Sequence, residues 1–110
     1  MIQEVRKGDE INLESIKSFF FKNKLIENLD NKILIKQFSN GFSNLTYLLQ
    51  FENKEFVLRL PPKGAKFGHD MKREFKVLSS LNKGFDKAPK AILFGNDSII
   101  GRPFYIMENV

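Results

Sequence analysis

No cysteine occurs in the 110 residues, which removes disulfides, thiol catalysis and cysteine-based metal sites together. A single histidine, His69, leaves no His-pair metal site and little room for a histidine-based triad. No apolar stretch approaches the roughly 20 residues that a membrane helix needs. The opening Met1-Ile2-Gln3-Glu4-Val5-Arg6-Lys7 is mixed in polarity, unlike a secretory signal. The expectation is therefore a soluble, cytoplasmic protein without a membrane partner. What remains open to the chain is chemistry built on carboxylates, on lysine or arginine, and on backbone amides. At 42% hydrophobic and 28% charged residues the composition is that of a globular chain, and the length allows one small domain.

The charge balance is +5, from 18 basic and 13 acidic residues. That admits a polyanion as partner. Lysine dominates over arginine, however, and is spread along the chain with no run of five basic residues. Nucleic acid is accordingly the minor reading.

Residues 12–22 predict a helix, with Asn12 as its N-cap, Glu14 in the first turn, Leu13, Ile16 and Phe20 on one side and Asn23 as a stop. A turn or short helix follows over residues 25–29. From Ile33 the period changes to two, first to Phe38, then through Leu45, Tyr47, Leu49 and Phe51, then through Phe56, Leu58 and Leu60 against Val57 and Arg59. Pro61-Pro62 ends the third of these strands. Asp70 caps a second helix to about Leu81, with Gly84 suited to the left-handed position after it. Residues 91–94 and 103–108 supply two more strands, separated by a turn at Gly95-Asn96-Asp97. The expected fold is α+β: a five-stranded antiparallel sheet, an N-terminal helix, and a packed helix after strand 3.

The loop Ser39-Asn40-Gly41-Phe42-Ser43-Asn44 reads in two ways. Asn-Gly between alternating apolar strands is a hairpin signal in its own right. A loop of small residues can equally bring backbone amides close to phosphates. Glu74 lies inside the apolar arc of the second helix formed by Met71, Phe75, Val77, Leu78 and Leu81. A carboxylate there either bends out to water or meets a cation, because unpaired burial of charge is costly. Arg59 is the candidate cation, one strand earlier, unless it simply faces solvent from an edge strand. Loop, strand cation and helix carboxylate in this order make a constellation suited to holding a phosphate.

Four stretches in this order resemble the nucleotide-binding lobe of the protein-kinase-like fold, in the aminoglycoside phosphotransferase and choline kinase group. They are Gln37-Phe38-Ser39-Asn40-Gly41-Phe42-Ser43-Asn44-Leu45-Thr46-Tyr47, Phe56-Val57-Leu58-Arg59-Leu60-Pro61-Pro62, His69-Asp70-Met71-Lys72-Arg73-Glu74-Phe75 and Ile100-Gly101-Arg102-Pro103-Phe104-Tyr105-Ile106-Met107-Glu108. Within the group, the branch found with acyl-CoA-dehydrogenase-type proteins is the most similar. The resemblance covers residues 33–110 and makes residues 1–32 an N-terminal helical segment. It implies ATP and Mg²⁺ as cofactors, with Ser39, Asn40, Gly41, Phe42, Ser43 and Asn44 as the loop over the phosphates. Arg59 stands where kinases carry the phosphate-binding lysine, and Glu74 where they carry its helix partner. Thr46 and Val57 would roof the adenine, Met107 would be the gatekeeper, and the Glu108 carbonyl and Val110 amide would bond the adenine edge.

The resemblance implies that the catalytic base and the magnesium-binding aspartate lie in a C-terminal lobe, and the chain is expected to stop at the hinge before it. The implied activity is transfer of the ATP γ-phosphate to a hydroxyl-bearing metabolite or an aminoglycoside-like acceptor, with no catalytic residue in this chain itself. Artificial self-association of a severed lobe is an accompanying expectation. The competing readings are a basic, non-catalytic module for a polyanion and a degenerate lobe that docks on a protein partner.

Overall fold

The computed structural model describes residues 2–39, 45–61, 71–84 and 88–109. Six strands form one antiparallel sheet: β1 (Ile2–Gln3), β2 (Leu34–Phe38), β3 (Leu45–Gln50), β4 (Glu55–Leu60), β5 (Ala91–Gly95) and β6 (Phe104–Glu108), in the order β1-β2-β3-β4-β6-β5. Among the described residues the helices are α1 (Leu13–Lys22), α2 (Met71–Gly84) and α3 (Asp97–Ile100). The sheet thus has one strand more than the five expected, and the packed helix follows β4. The extra strand is β1, whose Ile2 and Gln3 pair with Phe38 and Gln37.

Alternation along the strands sorts the side chains onto two faces. Leu45, Tyr47 and Leu49 of β3, Phe56, Leu58 and Leu60 of β4, and Phe104 and Ile106 of β6 share the covered face and form the core. Helix α1 closes this face, with Ile16 and Phe20 fully buried. The Phe20 ring sits 5.1 Å from that of Phe56 and 5.4 Å from that of Phe51, and Phe19 meets the edge of Phe104 at 5.2 Å. The expected caps hold: the Asn12 side chain accepts from the Ser15 amide at 3.1 Å, and Asn23 donates to the Phe19 carbonyl at 2.8 Å.

Gln37 is a polar residue with no exposed surface in the middle of β2. Its carbonyl oxygen accepts from the Arg6 amide at 2.8 Å and its amide donates to Asp9 Oδ2 at 3.0 Å. The Tyr47 hydroxyl donates to the Asp9 carbonyl. The segment that follows β1 is therefore the hydrogen-bonding lid of a buried polar group, which explains why so short a strand is held in register.

Two local expectations need correction. The turn expected at Gly95-Asn96-Asp97 begins a one-turn helix, α3, capped by Asn96 and ended by Gly101 in the left-handed conformation (φ 88°). Gly84 is the last residue of α2 and has no positive φ, so it is not the left-handed cap the sequence suggested. The expected cap of that helix, Asp70, lies outside the described residues.

Candidate functional site

The opposite face of the sheet carries the residues singled out in the sequence. Register places Thr46 against Arg59 and Arg59 against Tyr105, which makes one row across β3, β4 and β6. The neighbouring row is Leu48, Val57 and Met107. Thr46, Val57, Arg59 and Met107 therefore share a face, as their even spacing along the strands requires. Leu48, directly across from Val57 and 4% exposed, belongs to the same floor and was not singled out from sequence.

Helix α2 lies over the β5–β6 end of this face. Phe75 packs against Phe94 and Tyr105, with ring centroids 6.1 and 5.9 Å apart, and Met71 is buried. Asn82 staples the far end of the helix, donating to the Pro89 carbonyl at 2.9 Å and accepting from the Ala91 amide at 2.8 Å. The inward stripe is thus Met71, Glu74, Phe75, Leu78 and Asn82. Val77 and Leu81, expected inside, are 54% and 48% exposed. The reason is geometric: at 100° per residue, Asn82 falls within about 20° of the line through Met71, whereas Val77 and Leu81 sit on one flank.

Glu74, as expected, turns toward the sheet and meets Arg59, with Nη1 3.0 Å from Oε1. Both side chains are about two-thirds buried. The same carboxylate oxygen accepts from the Tyr105 hydroxyl at 2.8 Å. Tyr105 was missed in the sequence because an aromatic residue on an apolar strand reads as core. Its signal was available, for it stands two residues before Met107 and so on the same face. Burial pushes the Tyr105 phenol up to about 12, donation to Glu74 adds to this, and the Arg59 cation partly offsets it.

Arg59 Nε is buried and has no hydrogen-bond partner among the described residues. A desolvated guanidinium N–H without an acceptor is costly in a folded protein. It marks the place where an oxyanion would restore the missing bond, which is the fit that a nucleotide phosphate requires. Among the described residues no group of three or more His, Cys, Asp or Glu side chains could hold a metal ion. None of their helices is long and apolar enough to cross a membrane.

Ser39 is exposed in the turn that ends β2. The remaining loop residues of the sequence reading, Asn40, Gly41, Phe42, Ser43 and Asn44, and Val110 lie outside the described residues. Glu108 is exposed at the end of β6, and its amide donates to the Lys90 carbonyl at 2.9 Å. Beside it, Asn109 donates to Glu55 Oε1 at 2.8 Å, and Gln50 donates to Glu55 Oε2 at 2.6 Å. The strand end that carries Glu108 is thereby tied to the β3–β4 hairpin.

Acyl-CoA dehydrogenase family member 11 of Rattus norvegicus is 40% identical over 81 residues, which is 71% of this chain and 10% of that protein. The Homo sapiens protein of the same name is 41% identical over the same length and shares. Acyl-CoA dehydrogenase family member 10 of Mus musculus is 37% identical over 75 residues, 66% of this chain and 7% of that protein. The chain thus spans a tenth or less of the length of these relatives. A solved chain from Ralstonia eutropha JMP134, provisionally described as an aminoglycoside phosphotransferase, superposes with a TM-score of 0.70 at 26% identity, over 92% of this chain and 28% of that one. The sequence profile of the phosphotransferase enzyme family (APH) matches residues 34–110, which span the site from β2 to the end of β6, and the chain belongs to that family.

Proposed function

We propose that this chain is the ATP-binding lobe of a small-molecule phosphotransferase. The observation that carries the reading is the state of Arg59: Nη1 is held by Glu74, and Nε is buried without a partner. A guanidinium fixed at one end, with a desolvated N–H left over, is poised to bind a phosphate oxygen. In this reading the adenine lies under Thr46, Leu48 and Val57, beside Met107, with its polar edge at Glu108 and Val110. Residues 39–44 are assigned to phosphate binding. Mg²⁺ accompanies the ATP, and its protein ligands and the catalytic base belong to a second lobe of the kind the family carries. The acceptor is a hydroxyl-bearing small molecule, and the setting is the cytoplasm.

The reading is tested by calorimetric titration of ATP and of adenosine into the chain and its Arg59→Ala variant. Losing the charge-assisted hydrogen bonds of Arg59 is expected to weaken ATP about 10- to 100-fold, with adenosine unchanged. A folded Arg59→Ala chain that binds ATP as tightly as the parent refutes the role given to Arg59.

A further inference from the structure

Strand β6 sends Phe104 and Ile106 into the core and Tyr105 to the other face, where only 2% of the residue is exposed. Its ring packs on Phe75 of α2, and a phenylalanine would serve that packing equally well. The hydroxyl is the additional element. A buried hydroxyl must be bonded, and this one donates to Glu74 Oε1, the oxygen that also holds Arg59 Nη1. Arg59 Nη1 is itself 3.5 Å from the hydroxyl, which closes a triangle between β4, α2 and β6.

The guanidinium is a rigid planar fork, so fixing the direction of one N–H fixes the other four. Nη1 lies at the end held by Glu74, whereas Nε and Nη2 share the opposite, side-on edge that matches two oxygens of one phosphate. That edge contains the buried Nε that lacks a partner among the described residues. The phenol keeps its proton far above neutral pH, since burial first and Glu74 second push it up to about 12. It is therefore a donor to the carboxylate under all working conditions.

We propose that Tyr105 is a positioning residue for phosphate recognition: its hydroxyl fixes the Glu74 oxygen that holds Arg59 Nη1 and so aims the Nε edge of the guanidinium at the nucleotide phosphates. The proposal rests on the nucleotide reading above. Its test is Tyr105→Phe, which keeps the ring and removes only the donor, with two readouts on the same chain. The first is the nitrogen-15 NMR signal of Arg59 Nε–H in the absence of nucleotide, expected to shift and broaden when the carboxylate loses the phenol donor. The second is calorimetry, in which ATP is expected to weaken roughly 5-fold while adenosine stays within about 2-fold.

Equal weakening of ATP and adenosine would show a merely structural contact and overturn the proposal. So would an unmoved Arg59 signal with ATP bound as tightly as by the parent. A parent chain that binds no ATP overturns the nucleotide reading and the proposal with it. A parent that binds ATP, loses it in Arg59→Ala and ignores Tyr105→Phe overturns the proposal alone. Glu74→Gln keeps the shape and weakens both contacts, and is expected to move the same Arg59 signal in the same direction.

Discussion

The chain has two tyrosines, Tyr47 and Tyr105, and no tryptophan, so its tyrosinate absorbance reports on two known positions and nothing else. Both phenols are pushed up from 10 to about 12. Burial is the main cause in each. The Asp9 charge adds to it at Tyr47, against Arg102 and Arg6, and the hydrogen bond to Glu74 adds to it at Tyr105, against Arg59. A raised pKa means that the folded chain binds the proton more tightly than the unfolded chain. The stabilisation is therefore complete below pH 10 and is lost as pH rises toward 12. At 1.36 kcal/mol per unit, two units amount to about 3 kcal/mol for each tyrosine. Together they match the lower end of the stability of a domain of this size, roughly 5–15 kcal/mol. Ionisation of the two phenols is accordingly expected to be coupled to alkaline unfolding. Tyrosinate absorbance and far-ultraviolet ellipticity followed on one sample should change together between pH 10 and 12, whereas in urea both phenols should ionise near pH 10. Tyr105→Phe leaves Tyr47 alone and should show the same delayed, cooperative rise. One full tyrosinate near pH 10 with ellipticity intact would refute the reasoning.

Gln37→Leu removes an acceptor for the Arg6 amide and a donor to Asp9, one neutral bond and one to a charge, and is expected to cost roughly 2–3 kcal/mol in urea unfolding. Its effect should be strongly non-additive with that of Asp9→Ala, because the two side chains belong to one network, and additivity in the double mutant would sink the assignment. At Gly95 an added methyl would run into the ring of Phe104, a residue with no exposed surface wedged against Phe19. Gly95→Ala is expected to lower the melting temperature by roughly 5–10 °C, from an overpacking cost of about 1–3 kcal/mol. An unchanged melt would mean that the ring has room to move.

Strands announce themselves in this sequence because residues 45–50 and 55–60 repeat an apolar side chain at every second position, Leu45, Tyr47 and Leu49 in one and Phe56, Leu58 and Leu60 in the other. Ile2 and Gln3 do not, since two residues carry no period. β1 is specified instead by the partners that the segment behind it offers to Gln37. The face of α2 was misread for the opposite reason. Val77 and Leu81 look like core by composition, yet the sheet reaches a narrow arc, and the centre of that arc goes to a polar residue, Asn82, because it bonds two backbone groups next to β5. In the site, Arg59 and Glu74 were legible because a charge amid apolar neighbours demands a partner. Tyr105 was not, because nothing about an aromatic residue in an apolar strand discloses what its hydroxyl touches.

The strand order has a consequence for synthesis. β6 lies between β4 and β5, although it is the last of the six strands in the chain. While the chain grows on the ribosome, β4 and β5 have no shared neighbour until residues 104–108 emerge, and the β4–β6 pairing, from Phe56 with Glu108 to Arg59 with Tyr105, spans the longest sequence separation in the sheet. Until then one edge of β4 stands open, with Phe56, Val57 and Leu58 awaiting the partners that bury them. A nascent chain interrupted before Phe104 is thus a sheet with unpaired inner edges and an unfilled seam, a template for intermolecular pairing that calls for chaperone cover rather than a smaller copy of the finished domain.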